Sequence, residues 1–264
     1  MLDGKTALVT GSTRGLGEAT AECLAAAGCN VMLSGFGDAA EIEAKRETLA
    51  TTHGVATGYH HADLSKPTEV EALYSAAVSL SGSVDILVNN AVVRHFSSID
   101  DFLPEDWDRA IAVNLTAPFH LTRLALPGMR KRGWGRIVNI SSVLGLGARS
   151  GRADYITTKT ALIGLTRATA AETRAEGSIT CNAICPGSVL TPNTEMKIQE
   201  LAEQEGLSRD EARREYLRRR SQPGDFIDPA RIADFIAFLC RDESRDMNGG
   251  IHPIDSGRSA SWLE

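Results

Sequence analysis

Short apolar runs alternate with helix-length stretches along the whole chain, and this alternation leaves few folds open. Lys5 to Thr10 reads KTALVT, Asn30 to Ser34 NVMLS, Val84 to Val88 VDILV, Arg136 to Ser141 RIVNIS and Ile179 to Cys185 ITCNAIC. Runs this short and this apolar suit strands covered on both faces, as in a parallel sheet. Ala56 to His61 is a weaker, partly polar third strand, and Ile251 to Ile254 is a candidate seventh. Helical patterns fill the gaps: to about Ala27, Asp38 to about His53, Pro67 to about Ser81, Asp228 to Leu239, and one to about Ala175 that carries Tyr155 and Lys159. A long helix is expected from about Pro104 to Arg132, bent near Pro118 and Pro127. No long linker, repeat or low-complexity segment interrupts the order. The pattern predicts one doubly wound α/β domain over residues 1–264, with a mainly parallel seven-stranded sheet, helices on both faces, and ligands at the carboxyl ends of the strands.

The residues at that edge suit chemistry on a bound dinucleotide. The first strand runs into Gly11-Ser12-Thr13-Arg14-Gly15-Leu16-Gly17 and then a helix. Strand, glycine-rich turn, helix is the setting of a phosphate-binding loop. Glycine lets the backbone approach a pyrophosphate, and the helix N-terminus offers free N–H groups. The spacing G-x-x-x-G-x-G is neither the G-x-G-x-x-G form nor a P-loop. By itself such a turn is weak, because many strand-to-helix turns carry glycine for geometry alone. Asp63, Asn89-Asn90, Ser142 and Pro186-Gly187 fall at the same edge. Tyr155 and Lys159 are four residues apart, so on a helix they share one face. Ser141 and Ser142 end the apolar run just upstream. A phenol, an amine and a hydroxyl can therefore meet at a strand end, a set suited to proton transfer at an alcohol or carbonyl oxygen.

Composition sets outer limits. The chain has 264 residues, 42% hydrophobic and 23% charged, with a net charge of −6. That acidity opposes a nucleic-acid footprint, and no apolar run approaches membrane-span length. Met1-Leu2-Asp3-Gly4-Lys5 lacks the basic-then-apolar layout of a signal peptide, so a cytoplasmic protein is expected. The five cysteines (Cys23, Cys29, Cys181, Cys185, Cys240) read as reduced buried thiols, and no second Cys/His pair completes a zinc site with Cys181 and Cys185. Thr194 to Arg220 is charge-rich and ends RDEARREYLRRR. Most of these charges read as a solvated helix face with intrahelical ion pairs. Its place after the sixth strand makes residues 192–223 a candidate helical lid.

The residues resemble the short-chain dehydrogenase/reductase family, a Rossmann-type fold, across nearly the whole chain. The likeness rests on Thr10-Gly11-Ser12-Thr13-Arg14-Gly15-Leu16-Gly17, Asn89-Asn90-Ala91, Asn114, Ser142, Tyr155-x-x-x-Lys159 and Pro186-Gly187-Ser188-Val189-Leu190-Thr191. Stretches 34–43, 61–65 and 182–187 are similar to the D-3-hydroxybutyrate dehydrogenases within it. The resemblance implies a catalytic tetrad of Asn114, Ser142, Tyr155 and Lys159. Tyrosine ordinarily holds its proton to about pH 10, and a neighbouring ammonium on Lys159 favours the phenolate. Tyr155 would then exchange the substrate proton, Ser142 would hold the substrate oxygen, and Asn114 would fix a water beside Lys159. A non-catalytic dinucleotide-binding regulator of the same fold would be expected to lack tetrad residues, and none is lost here.

The resemblance also implies a nicotinamide cofactor. Gly11, Thr13, Arg14, Gly15, Leu16 and Gly17 would cradle it, with Phe36 and Leu64 beside it. Asp63 would meet the adenine amino group and Asn90 a ribose. Pro186, Gly187, Val189 and Thr191 would line the nicotinamide end, with Tyr155 and Lys159 reaching it. The second strand ends Leu33-Ser34-Gly35-Phe36, with no acidic residue for a ribose. The hydroxybutyrate enzymes nevertheless use NAD, so NAD is expected. Arg14 keeps NADP open, since an arginine there would meet a 2′-phosphate, and with it the alternative of an NADPH-dependent 3-oxoacyl thioester reductase.

The substrate end departs from the nearest resemblance. Hydroxybutyrate dehydrogenases hold a small carboxylate with two glutamines, a histidine and a lysine, with a tryptophan near the C-terminus. At the matching positions this chain has Arg94, Leu144, Arg152, Lys197 and Arg258. Arginine binds carboxylate, sulfonate or phosphate in bidentate fashion and is not equivalent to glutamine. The expected substrate, meeting these together with Ser142 and Tyr155, is a 3-hydroxy or 3-oxo acid of the hydroxybutyrate type or a more anionic analogue. The family's habit implies a homotetramer through the helices bearing Asn114 and Tyr155.

Overall fold

The computed structural model describes residues 2–260; residue 1 and residues 261–264, the ends of the expected unit, lie outside the described residues. Seven strands form one sheet: β1 Thr6–Thr10, β2 Asn30–Ser34, β3 Thr57–Tyr59, β4 Ile86–Asn89, β5 Gly135–Ile140, β6 Ile179–Pro186 and β7 Ile251–Ile254. Their order is β3-β2-β1-β4-β5-β6-β7, and every neighbouring pair is parallel. The order reverses between β1 and β4, which opens a crevice at their carboxyl ends.

The helices are α1 Gly15–Ala26, α2 Ala39–His53, α3 Pro67–Ser81, α4 Pro104–Ile111, α5 Ala117–Arg132, α6 Ala153–Thr173, α7 Pro192–Glu205, α8 Arg209–Arg218 and α9 Pro229–Cys240. Alternation along each strand sorts the core into two layers. Ala7 and Val9, Val31 and Leu33, and Ile86 and Val88 pack with α1 and α9 on one face. Leu8, Met32 and Leu87 point the other way, onto α3 and α5. Leu8 is fully buried, so Leu8→Ala should cost about 2–5 kcal/mol through lost transfer energy and the cavity left behind. A third apolar cluster joins α7 and α8 through Ile198, Leu201, Ala212, Tyr216, Leu217 and Phe226.

Local chemistry explains most helix ends. Asp38 accepts from the Ala40 and Glu41 N–H groups, Asp228 from that of Ala230, and Ser208 forms a capping box with Glu211. The long helix expected over 104–132 is instead α4 and α5 joined by a π-helical stretch, Ala112–Thr116. Pro118 has no N–H to give the carbonyl of Asn114 four residues earlier, so a regular α-helical ladder fails there. The third strand is trimmed to Thr57–Tyr59, on the sheet edge and only half-buried. No helix among the described residues is long and apolar enough to cross a membrane.

Candidate active site

The turn after β1 is folded tightly on itself. Gly11 and Gly15 have φ of +65° and +62°, the left-handed region that favours glycine. A Cβ on Gly11 would stand 2.9 Å from the Ala91 Cα, and one on Gly17 would overlap the Gly11 carbonyl. Asn90 Nδ2 donates to the carbonyls of Thr10 (2.8 Å) and Gly11 (3.1 Å), so its amide nitrogen is already engaged by the turn. Thr13 donates to the Phe36 carbonyl (2.8 Å), binding the turn to the end of β2. Arg14 precedes α1 in extended backbone, is exposed, and supplies no side-chain cap. The α1 N–H groups therefore face an open crevice, where an anion suits both the free donors and the helix dipole. Leu16 packs behind the turn on the core.

The remaining positions expected at a cofactor line the same edge. Phe36 is exposed and meets His61 edge-to-face at 5.0 Å. Asp63 Oδ1 accepts from the Ser65 N–H and hydroxyl, which holds its carboxyl below the usual range. Leu64 is buried in the core. Pro186 ends β6, and the Gly187 N–H donates to the Ile254 carbonyl. Val189 bridges to Ile227, and Thr191 caps α7. A Cβ on Gly15 would lie 3.3 Å from the Thr191 methyl, so the loop after β6 closes on the turn after β1. Glycine-permitted close approach, open helix donors and a polar crevice fit a dinucleotide.

Beyond β5 the turn begun by Ser142 packs on α6, which carries Tyr155 and Lys159. Ser142 starts a short helical turn, Val143–Gly145, and its Oγ accepts from the Leu144 N–H at 3.1 Å. That leaves its O–H free to donate. Gly145 lets this turn lie against α6: a Cβ there would stand 2.5 Å from Ser141 Oγ and 2.9 Å from the Lys159 carbonyl. Ser141 donates to that same carbonyl at 2.7 Å. Lys159 is 2% exposed. Its Nζ donates to the Ile140 carbonyl at 2.6 Å and lies 5.7 Å from the Tyr155 ring centroid. Burial, and next the Arg94 guanidinium, bring Lys159 down to about 7 from an ordinary 10.5. The ammonium expected beside Tyr155 is thus in balance with the neutral amine near neutrality, which the sequence reading did not foresee.

Asn114 sits in the π-helical stretch and is fully buried. Its Oδ1 accepts from Val93 N–H (2.9 Å), and its Nδ2 donates to the Val93 carbonyl (2.8 Å) and Thr158 Oγ1 (3.2 Å). The side chain ties the β4 loop to α6. The Asn114 carbonyl gets no α-helical donor from Pro118, which has no N–H.

Arg152 and Lys159 stand beside the Tyr155 ring, and further cations lie within electrostatic reach of Arg152. The Arg152 guanidinium lies 4.7 Å from the Tyr155 ring centroid and 5.9 Å from that of Phe96. Burial holds Arg152 below its ordinary range, with Arg94 and Arg149 adding to the effect and Tyr155 opposing it. Lys197 is lowered by burial, then by Arg94, Arg152 and Arg220. Arg258 is lowered by burial and Arg149. Leu144 is half-buried in the turn after Ser142. Arg149 and Arg220 were missed. Arg220 closes the charge-rich run read as mostly solvated, and no spacing rule singles it out. Asp154 was missed too: fully buried, it binds the His95 N–H (3.0 Å) and ring Nδ1 (3.1 Å).

Comparison with known proteins gives the family. A family model described as short chain dehydrogenase matches residues 5–202. A D-beta-hydroxybutyrate dehydrogenase of Cupriavidus necator is 45% identical over 97% of this chain and 98% of that protein. One from Rhizobium meliloti is 40% identical over 97% and 99%. A 3-oxoacyl-[acyl-carrier-protein] reductase of Aquifex aeolicus is 34% identical over 97% and 98%. Among solved structures, L-sorbose reductase from Gluconobacter frateurii, complexed with NADPH and L-sorbose, superposes with a TM-score of 0.92 at 28% identity over 98% of both chains. On the family model and these full-length likenesses, the chain belongs to the short chain dehydrogenase family.

Proposed function

We propose that this protein is an oxidoreductase that moves a hydride between a nicotinamide cofactor and the C3 position of a 3-hydroxy or 3-oxo acid. The observation that supports the reading is that Lys159 lies beside the Tyr155 ring and reaches the end of β5, where the turn begun by Ser142 packs on α6 at Gly145. The two hydroxybutyrate dehydrogenase relatives support the acid substrate. When bound, the nicotinamide supplies or accepts the hydride. Gly11, Gly15, Gly17 and the α1 N–H groups would hold its phosphates, Asp63 and Asn90 the adenosine half, and Val189 and Thr191 the nicotinamide end.

The chain's own residues handle the proton. In the reductive direction the Ser142 hydroxyl would donate to the substrate carbonyl oxygen, its O–H being free while its oxygen accepts from the Leu144 N–H. The Tyr155 phenol gives its proton to that oxygen as negative charge develops. Lys159, able to take or release a proton near neutrality, restores the Tyr155 proton through water at the Asn114 carbonyl. The α7–α8 segment, which carries Lys197 and leads into Arg220, would close over the substrate and exclude bulk water.

NAD is the proposed cofactor. Lys45, the cation that reaches the turn, is paired with Glu18 at 2.8 Å and donates to the Thr13 carbonyl at 2.9 Å, so it is not poised for a 2′-phosphate. The exposed Arg14 favours a second reading, NADPH-dependent reduction of a 3-oxoacyl thioester, as in the relative from Aquifex aeolicus. Rates with acetoacetate and a 3-oxoacyl thioester, each with NADH and NADPH, separate the two. A preference for acetoacetate with NADH is expected, and comparable NADPH rates on the thioester would favour the second reading.

A further inference from the structure

We propose that the cations around Tyr155 form a binding site for a substrate with two acidic groups, one on each side of the reacting carbon. This rests on the reading of Ser142 and Tyr155 as the reaction centre and adds a charge count to it. Among the described residues, Arg94, Arg149, Arg152, Lys197 and Arg220 have no carboxylate oxygen within the 4.0 Å of an ion pair. The same segment contains the opposite case. Arg209, Arg213, Arg218 and Arg219 pair with Glu195, Asp225, Glu215 and Glu205. Four arginines of that segment are thus paired, whereas Arg152 beside Tyr155 and the cations that act on it or on Lys197, namely Arg94, Arg149 and Arg220, are not.

Arg152 and Arg220 are held in place before any ligand arrives, and the backbone under Arg94 is anchored. Arg152 lies over the Tyr155 ring, and its buried Nε has no hydrogen-bond partner. Arg220 stands 3.3 Å from the Tyr216 ring centroid and donates to the Tyr216 carbonyl at 3.2 Å. Arg94 rides on a loop that buried Asp154 pins through His95, and Ser97 bridges that loop to Arg152. Burial, with Arg149, Arg152 and Arg258 adding to it, holds Arg220 below its ordinary range. Arg149, Arg152 and Arg220 are partly buried, and like charges gathered there disfavour one another. An anion in their midst reverses the sign of that cost. One carboxylate is satisfied by one bidentate arginine, which leaves the other cations without a counter-charge. A second acidic group supplies it.

The chemistry shared by a second carboxylate and a phosphonate is a further anion at the far end of a short chain. Calorimetric titration of the cofactor-loaded enzyme with butyrate, glutarate and 3-phosphonopropionate reads this directly, because none of them carries the reacting oxygen. Glutarate or the phosphonate should bind at least about 10-fold tighter than butyrate, and the advantage should shrink with added salt. Whichever binds tighter identifies the second group. Arg152→Gln and Arg220→Gln should each reduce the advantage by roughly 3- to 10-fold, whereas Arg220→Lys, which keeps the charge, should retain part of it. Butyrate binding as tightly as both dianions would overturn the proposal. Acetoacetate turnover without a dianion advantage would spare the hydride-transfer reading while removing this one. Tight glutarate binding with no turnover of any 3-oxo acid would do the reverse.

Discussion

The two sides of the crevice are built by opposite means. On the reaction side, Ser142, Tyr155 and Lys159 sit on a buried turn and a helix pressed together across Gly145, with Ser141 hydrogen-bonded between them. Backbone packing sets their spacing, and little can move. On the substrate side, Arg94, Lys197 and Arg220 are long side chains on loops and on the α7–α8 segment. Arg94 and Lys197 are exposed, and Arg220 is half-buried. On the proposed reading the reaction is fixed by the frame of the fold, while the choice of substrate is carried by these peripheral side chains. If the contrast holds, changes on the first side should act on kcat and changes on the second on KM.

The largest effect is expected from Tyr155→Phe, which removes the proton but keeps the ring. Turnover should fall about 10²–10⁴-fold while cofactor binding, followed by fluorescence, stays nearly intact. Next is Gly145→Ala. The new Cβ forces the Ser142 turn away from α6, and a displacement of about 1 Å should cost on the order of 10² in kcat, with KM much less changed. A pure KM effect there would break the contrast. Arg152→Gln should act the other way, lowering kcat/KM for acetoacetate by about 10-fold, mainly through KM, as loss of uniform binding does.

A smaller effect lies in stability against pH. Lys159 falls from 10.5 to about 7 on folding. Between those values the unfolded chain holds a proton that the folded chain lacks, so this group makes stability rise with pH across that window, and its penalty is complete below it. Lys159→Met removes the slope. The variant's melting temperature should gain on the wild type more at about pH 6 than at about pH 10; an equal gain at both would contradict the buried lysine. The smallest effect is expected at Arg209→Ala on the outer face of α8, whose pair with Glu195 is largely exposed. Neither melting temperature nor kinetics should change measurably.

Much of the frame was legible because apolar strand runs are short, frequent and bounded. β2 and β7 have the limits read from the sequence, and the parallel order follows from the helices between strands. Pro118 announced a disturbance in the Pro104–Arg132 helix. It did not announce that the disturbance is a π turn centred on Asn114, because propensity says nothing about which carbonyl is left without a donor. Motif spacing put Tyr155 and Lys159 on one helix face, where the Tyr155 ring centroid and Lys159 Nζ lie 5.7 Å apart. It did not give the depth at which Lys159 lies, since a lysine on a helix reads as solvated until packing buries it. Asp154 and His95 were illegible for a related reason: an acid in the first turn of a helix is ordinary, and only tertiary contact makes it a fully buried anchor for the loop carrying Arg94. Arg220 is one arginine among six within the run that ends RRR, distinguished from Arg219 only by the side of the segment it faces.

The most direct measurement is steady-state kinetics on the purified protein, following nicotinamide absorbance with acetoacetate, 3-oxoadipate, a neutral ketone of equal length and a ketose. The wild type should reduce the two 3-oxo acids with much higher kcat/KM than the neutral ketone or the sugar, and Tyr155→Phe should lower all of it by the same factor of about 10²–10⁴. A strong preference for the neutral ketone or the ketose, or near-normal turnover by Tyr155→Phe, would contradict the assignment of both sides of the crevice.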